Sequence, residues 1–285
     1  MDTAQMVCDD GIQLIRRKQD GLYNFLRQDR SLLSTQWFYG AKDFQEGFAA
    51  IQQEENGPWR FISTSGRFLG KHKCYWANSF YGGFARVMEK KNSHWHFLRP
   101  NGLFLLRDSF YKAYDFSEGY AAVQAKEGGV WNFLKFDGTF LTEEGFYAVE
   151  DFQEGFATVQ KEKDGLWNYL GPDGSMLLEE GVHRAFPFCE GFAVVQKVQE
   201  GRYEFLKPDG TSLVEEKFLL CKNFHKGVAL VKRDQFEYNF LKSNGEFLSS
   251  EWFTYADSFD DSGFALVCQR NARLKINLDG KTERL

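Results

Sequence analysis

The stretch Gly119–Gln124, with the sequence GYAAVQ, decides the fold because its glycine is one of eight that recur at a spacing of 36 residues. The eight glycines are Gly11, Gly47, Gly83, Gly119, Gly155, Gly191, Gly227 and Gly263. A fixed period of about 20 to 50 residues is typical of tandem structural repeats. We therefore expect a single repeat domain over residues 1–285, with eight repeats that begin near these glycines.

Each repeat has the pattern of a small antiparallel β-sheet. In the repeat that begins at Gly119, the first apolar stretch is followed by a turn at Lys126–Gly129 and a second stretch, Val130–Leu134 (VWNFL). Such a pair with a glycine-containing loop predicts a β-hairpin. Trp131 and Phe133 are separated by a polar residue, and this alternation places both rings on one face of the second strand.

The rest of the repeat predicts two further strands. Asp137–Gly138 predicts a tight turn, because glycine accepts the positive φ angle that such turns need. We expect a brief third strand over Thr139–Leu141 and a less regular fourth strand over Phe146–Phe152. No segment shows sustained helical periodicity, so the chain is predicted to be all-β.

Two global shapes agree with an array of eight such repeats. A propeller-like closed ring is favoured, because the eighth repeat stops at Leu285 before its last strand, and residues 1–10 could supply that strand. Closure removes unpaired sheet edges, which an open array must protect in another way. The alternative is an open β-solenoid or arc.

Composition excludes several classes of partner. The net charge is −5, and lysine and arginine are spread over all repeats, which gives no basic stripe for nucleic acid or for a membrane surface. No apolar run approaches the length of a membrane-spanning helix. The first residues, Met1–Gln5, have neither the basic nor the apolar region of a signal peptide, so we expect a cytoplasmic location.

The five cysteines fall at five different positions of the repeat: Cys8, Cys74, Cys189, Cys221 and Cys268. An odd number without paired spacing indicates free thiols in a reducing compartment, and neither a disulfide framework nor a zinc site.

Together these residues resemble the WG repeat family of bacterial proteins. The resemblance rests on Phe152–Val159 (FQEGFATV), on Gly165–Leu170 (GLWNYL) and on the Asp-Gly turn that follows, and it extends over nearly the whole chain. The chain departs from the family in one position, since the glycine of the WG motif is replaced by Asn132, Asn168, Arg60, His96 or Glu204. The resemblance implies an interaction scaffold, and it carries over no catalytic residue.

The repeated acidic residues could be taken for catalytic carboxylates. Four of the eight repeated glycines are directly preceded by a glutamate: Glu46, Glu118, Glu154 and Glu190. Three of these glutamates have an aspartate three residues before them: Asp43, Asp115 and Asp151. A paired-carboxylate catalyst needs one such pair, whereas these acids recur along the array. We expect them to accept hydrogen bonds from backbone N–H groups at the turns between repeats.

Other catalytic signals are weak. His94 and His96 share one face of a strand, and such a pair can bind a metal ion. A metal ion needs further ligands, however, and only His72 and Cys74 of the same region could supply them. We therefore expect no metal site. The sequence has no nucleophile elbow and no phosphate-binding glycine loop. We therefore predict a protein that is not an enzyme and that needs no cofactor.

The aromatic residues are the remaining candidates for a binding surface. One position of the second strand holds tryptophan in four repeats: Trp59, Trp95, Trp131 and Trp167. We interpret these four as the main core residues between neighbouring repeats, although a row of tryptophans could also stack on sugars or bases. Less regularly repeated aromatic residues form the candidate contact patch, because tryptophan and tyrosine are enriched at binding hot spots; they are Trp37, Tyr75, Trp76, Tyr81 and Trp252.

The sequence thus predicts a non-catalytic repeat scaffold for protein–protein interaction, with a partner that it does not identify. The alternative is a carbohydrate- or cell-envelope-binding module that uses exposed aromatic residues. Trp167–Met176 is similar to the aromatic repeats of choline-type cell-wall-binding modules, but those repeats are much shorter.

Overall fold

The computed structural model describes residues 3–7, 11–270 and 272–285, and within them the chain forms β-strands and no helix. This confirms the all-β prediction. The strands are β1 (Thr3–Val7), β2 (Gln13–Arg16), β3 (Tyr23–Leu26), β4 (Gly40–Ala41), β5 (Phe48–Gln52), β6 (Trp59–Ser63), β7 (Trp76–Tyr81), β8 (Phe84–Met88), β9 (His96–Leu98), β10 (Lys112–Ala113), β11 (Tyr120–Gln124), β12 (Trp131–Lys135), β13 (Ala148–Val149), β14 (Ala157–Gln160), β15 (Trp167–Leu170), β16 (Arg184–Ala185), β17 (Ala193–Gln196), β18 (Tyr203–Leu206), β19 (Leu220–Cys221), β20 (Val228–Asp234), β21 (Glu237–Lys242), β22 (Tyr255–Ala256), β23 (Phe264–Gln269), β24 (Ala272–Asn277) and β25 (Thr282–Arg284).

Three consecutive strands form each sheet, and the described residues form eight such antiparallel sheets, the last of which adds β25 as a fourth strand. The chain divides into an N-terminal unit, Met1–Gly145, and a C-terminal unit, Phe146–Leu285. Each unit contains four sheets. Many small antiparallel sheets are therefore present, as predicted, while a single domain over residues 1–285 stays a prediction.

The sheets do not begin at the eight repeated glycines. The strand before each glycine pairs with the strand after it, as β13 pairs with β14, because the glycine lies in the hairpin turn that joins them. In this turn Glu154 and Gly155 have φ angles of 52° and 85°, and Gln153 and Phe156 exchange backbone hydrogen bonds. Two consecutive positive φ angles characterise the type I′ turn that suits the twist of a hairpin.

This offset corrects the expectation for residues 1–10. Thr3–Val7 forms β1 and pairs with β2 in the first sheet, where it takes the place of the strand that precedes each later glycine. The eighth sheet gains β25 from the chain's own last residues. Strand pairing in the described residues therefore joins no N-terminal strand to the last sheet, and the closed ring stays a prediction without that support.

The predicted third strand is reduced to isolated bridges. In the repeat with β12, Leu134 bridges to Phe140, and the chain then curves away from the strand. The side chain of Asn132 takes over the missing backbone pairing: its Nδ2 donates to the carbonyl of Thr142 at 2.8 Å, and its Oδ1 accepts from the N–H of Phe133 at 2.7 Å. The same two contacts recur at Asn24, Asn168 and Asn239.

The prediction for the repeated glutamates is confirmed at three positions. The Glu46 carboxylate accepts from the N–H groups of Gly82 and Gly83, both at 2.8 Å. Glu154 accepts in the same way from Glu190 and Gly191, and Glu190 from Lys226 and Gly227. Each glutamate therefore fastens its own turn to the turn of the next repeat, and we name this contact the glutamate clamp.

One repeated aspartate behaves differently from the prediction. Asp115 accepts from the side chain of Arg86, at 2.6 Å from Nε and 3.1 Å from Nη2, and the guanidinium also donates to the carbonyl of Ala113. A planar guanidinium matches a carboxylate with two parallel hydrogen bonds, so an arginine on a neighbouring sheet can outcompete backbone N–H groups for this carboxylate.

The core lies between consecutive sheets and is built from phenylalanine pairs. Phe25 packs edge-to-face on Phe44 at 4.8 Å between ring centroids, and Phe240 packs on Phe259 in the same way at 4.8 Å. Equivalent pairs join Phe61 to Phe80, Phe97 to Phe116, Tyr169 to Phe188 and Phe205 to Phe224. Such pairs add about 0.5–1.5 kcal/mol beyond area burial.

This core corrects the interpretation of the tryptophan row. Trp59, Trp95, Trp131 and Trp167 are only half-buried, whereas the ring two residues further on is fully buried or nearly so. The reason lies in the register of each hairpin. Trp131 pairs with the last residue of β11, at the hairpin end of the sheet, while Phe133 pairs with Ala122 in its middle.

Candidate aromatic binding surface

Tyr75 and Trp76 are exposed neighbours at the start of β7. Trp76 pairs with Met88 on β8, and the two aromatic side chains are 47% and 49% exposed. In the six sheets other than this one and the N-terminal one, the first residue of the corresponding strand differs from sheet to sheet; it is Gly40, Lys112, Ala148, Arg184, Leu220 or Tyr255. Because residues as different as glycine, arginine and tyrosine occupy this position, packing does not explain the tryptophan.

Two shallow grooves meet at this pair. One, of about 460 Å³, runs from Tyr75 and Trp76 to Met88 and Trp95. The other, of about 500 Å³, runs from the same two residues to Trp59. Tyr75 and Trp76 line both grooves, so Trp76 is described as the ridge that the grooves share, and each groove also has a half-buried tryptophan in its lining. We name Trp59, Tyr75, Trp76 and Trp95, with the two grooves, the Trp76 surface.

Cations lie beside three of these rings. The Lys42 ammonium is 5.6 Å from the ring centroid of Trp59 and 5.8 Å from that of Trp76, and it donates to the carbonyl of Ala77 at 2.7 Å. The Arg86 guanidinium lies 5.1 Å from the ring centroid of Trp95. Partial burial lowers the pKa of Lys42, against the opposing effect of the Asp115 carboxylate. The ring electrons thus already have cationic neighbours.

The rim of the Trp59 groove carries three charged residues in sequence, Glu89, Lys90 and Lys91. The Glu89 carboxylate lies 3.2 Å from Nδ1 of His72. Among the described residues no ion pair involves Lys90 or Lys91, and both side chains are exposed. The rim therefore presents two cations to solvent.

The other residues of the predicted patch lie elsewhere. Tyr81 ends β7 and is 57% exposed, but it lines neither groove. Trp37 is half-buried, with the Arg17 guanidinium 4.3 Å from its ring centroid. Trp252 belongs to the C-terminal unit and packs against Phe247 at 5.0 Å and against an arginine. The structure brings only Tyr75 and Trp76 together.

Sequence reasoning missed part of this surface. Trp59 and Trp95 line the grooves although they had been interpreted as core. Sequence reasoning treats Tyr75 as a departure from the repeat. Tyrosine nevertheless recurs at this position, at Tyr39, Tyr75, Tyr111 and Tyr147, with a spacing of 36 residues. The departure lies in Trp76 alone.

The histidines form ring contacts. His96 stacks on Phe104 with 4.5 Å between ring centroids, His72 contacts the same ring at 4.1 Å, and His94 contacts Tyr111 at 6.2 Å. In the described part of the chain no three histidine, cysteine, aspartate or glutamate side chains are placed to hold a metal ion. Four cysteines there carry free thiols, and Cys8 lies outside the described residues.

A further groove, of about 630 Å³, lies in the C-terminal unit. Its lining includes Tyr203, Leu220, Lys222, His225 and Phe259. No sequence signal pointed to it, since these residues belong to different positions of the repeat. Across the described residues no helix is long and apolar enough to cross a membrane.

Comparisons with known proteins support the repeat assignment. Residues 59–92 and 110–131 match the family model of the WG containing repeat, which supports a WG repeat protein. A comparison with curated proteins gives no match. The matched segments include Trp59, Tyr75 and Trp76, so part of the Trp76 surface lies within the recognised repeats.

Several solved structures show distant similarity to the chain. A eukaryotic initiation factor is 10% identical, with a TM-score of 0.50 over 100% of this chain and 88% of that chain. BamB from Moraxella catarrhalis is 10% identical over 99% and 98% of the two chains, with a TM-score of 0.34. The computationally designed protein Ika8 is 12% identical over 98% and 93%, with a TM-score of 0.38. Only the initiation factor reaches a TM-score of 0.50, so it alone bears on the fold. At identities of 10–12% none of the three bears on function.

Proposed function

We propose that this chain is a non-catalytic scaffold that binds a protein partner through the Trp76 surface. The observation that carries the proposal is the half-exposed Trp76 ring, which forms the ridge between two grooves at a position where the other repeats hold quite different residues. Tryptophan and tyrosine dominate binding hot spots because their large rings lose much water-exposed area on contact.

The contacts of the repeated acids support a non-catalytic role. The clamp carboxylates of Glu46, Glu154 and Glu190 are each engaged by two backbone N–H groups, so they hold turns together. From the family resemblance we further infer a bacterial origin, and from the unpaired cysteines a cytoplasmic location. For the global shape we keep the closed ring, and a maximum dimension in small-angle scattering well above that of a compact disc would exclude it.

Site-specific photo-crosslinking tests the proposal. A benzoyl-phenylalanine at position 75, which leaves Trp76 in place, should capture a discrete partner in the native host, while the same group at position 147 should not. Tyr147 is the matched control, because it is the equivalent tyrosine of another repeat and is equally exposed.

The captured protein is then purified and titrated against the wild-type chain and Trp76→Ala. Loss of at least about 2 kcal/mol, or about thirtyfold in Kd, is expected for a hot-spot tryptophan. Equal binding by both chains would contradict the proposal.

The second candidate is a carbohydrate- or cell-envelope-binding module. The exposed Trp76 ring beside the amide groups of Asn78 and Asn92 favours it, because an aromatic face with neighbouring amides can hold a sugar ring. A glycan array distinguishes the two candidates. Competable sugar binding that is lost in Trp76→Ala or in Trp37→Ala would favour this second function.

A further inference from the structure

We infer that the partner presents an extended, proline-containing segment with acidic residues at one end, and that this segment crosses the Trp76 ridge. The inference rests on the proposed function and specifies the chemistry of the partner.

The shape of the Trp76 surface fits a polyproline II segment. Its two grooves share Tyr75 and Trp76, and Trp59 lines one of them while Trp95 lines the other. A polyproline II helix has three residues per turn, so prolines three positions apart lie on one side and can enter neighbouring grooves. Aromatic-lined grooves bind such segments because proline rings pack on flat aromatic faces and little chain entropy is lost.

Polar side chains beside the ridge can hold the backbone of such a segment. Nε1 of Trp76 donates to Oδ1 of Asn78 at 2.9 Å, which turns the Asn78 amide group so that its own N–H groups remain to donate. Asn92 lines the same groove. A polyproline II backbone forms no internal hydrogen bonds, so its carbonyl groups need such donors.

The charged residues at the two grooves decide in which direction the segment would lie. Lys90 and Lys91 lie at the rim of the Trp59 groove, and the neighbouring Glu89 carboxylate lies against His72. In the Trp95 groove, Arg86 is paired with Asp115. The excess of positive charge is therefore at the Trp59 end, where the acidic end of the segment would lie. A cationic ligand is disfavoured, because Lys42 and Arg86 already lie beside the rings.

Fluorescence anisotropy with a labelled synthetic peptide tests the inference. The probe contains two prolines three residues apart, followed by two glutamates, and the protein is the full chain. We expect saturable binding below about 1 mM, the range of weak single-segment contacts. Replacing both prolines by alanine should weaken binding at least about tenfold, since the preformed conformation and the ring contacts are both lost.

Protein variants place the peptide on the surface. Trp76→Ala should remove binding. We expect this variant to fold, because the corresponding position of another sheet already holds an alanine, Ala148. The double variant Lys90→Glu, Lys91→Glu should bind the acidic peptide more weakly. It should bind more tightly a peptide that has lysines in place of the two glutamates. Lys126→Glu is the matched control, because it lies 36 residues after Lys90 and outside both grooves.

The outcomes separate the two proposals. Equal binding of the proline and alanine peptides, or binding that Trp76→Ala leaves unchanged, would overturn the inference. If position 75 crosslinks to a partner without a proline-rich acidic segment, the scaffold function stands and the inference is wrong. If the wild-type chain binds a glycan but does not bind the peptide, the occupant is a sugar and the inference is also wrong.

Discussion

Replacing Asn239 by alanine should destabilise the chain by about 2–4 kcal/mol. The Asn239 side chain is fully buried, with its Nδ2 2.8 Å from the carbonyl of Ser249 and its Oδ1 2.8 Å from the N–H of Phe240. Alanine leaves both backbone groups without a partner, and each buried unsatisfied group costs about 1–3 kcal/mol. Asn239→Asp should be worse at neutral pH, because a carboxylate cannot donate to the carbonyl and places a charge in a buried site.

Urea unfolding followed by far-UV circular dichroism measures the effect. With an m value of about 3 kcal/mol/M, a loss of 3 kcal/mol lowers the midpoint by about 1 M. Amide exchange at Phe240 gives a local readout, and it should accelerate. Asn244→Ala is the control, since Asn244 is an exposed turn residue and its loss should cost below about 1 kcal/mol. A midpoint shift no larger than that of the control would refute the role assigned to the asparagine.

Four further outcomes are expected. Phe133→Ala should cost about 3–5 kcal/mol in thermal or urea unfolding and Trp131→Ala clearly less, because only the phenylalanine is fully buried; the reverse order would contradict the assignment of the core. Ala157→Leu should cost about 1–3 kcal/mol by overpacking a side chain with no exposed area, which the melting temperature checks. Burial raises the pKa of Cys74 to about 12, so mass spectrometry should find this thiol unalkylated in the native chain at pH 8 and alkylated in urea. Burial lowers the pKa of His96 below the ordinary 6.5, so the unfolded state binds more protons below that pH, stability should fall as the pH drops through this window, and His96→Asn should flatten the slope.

The periodicity of the sequence predicted the repeated β-sheets but could not predict where each sheet begins. A 36-residue period fixes the spacing of equivalent residues and leaves the phase free, so Gly155 could start a repeat or lie inside one. The decisive fact is the turn conformation at Glu154–Gly155, which makes the glycine the middle of a hairpin. Glu-Gly prefers such a turn only weakly compared with Asn-Gly, so the turn at Glu154–Gly155 could not be predicted from these two residues.

The candidate site was predictable only in part. Trp76 differs from every equivalent residue, and the sequence alone shows this. Alternation along β6 places Trp59 and Phe61 on one face, but it does not tell how far the neighbouring sheet covers that face. The groove walls therefore required the structure. The same holds for Arg86, whose partner Asp115 lies 29 residues away on the next sheet.

The glutamate clamp bears on how such a chain can change in evolution. Its acceptor is a side chain, but its donors are main-chain atoms at Gly82 and Gly83, at Glu190 and Gly191, and at Lys226 and Gly227. Main-chain atoms are the same whatever residue carries them, so the clamp places no demand on the side chains of the next repeat beyond the conformation of its turn. A duplicated or exchanged repeat therefore needs no compensating substitution to form the clamp, whereas the phenylalanine pairs and the Arg86–Asp115 contact do depend on the side chains of the neighbouring repeat.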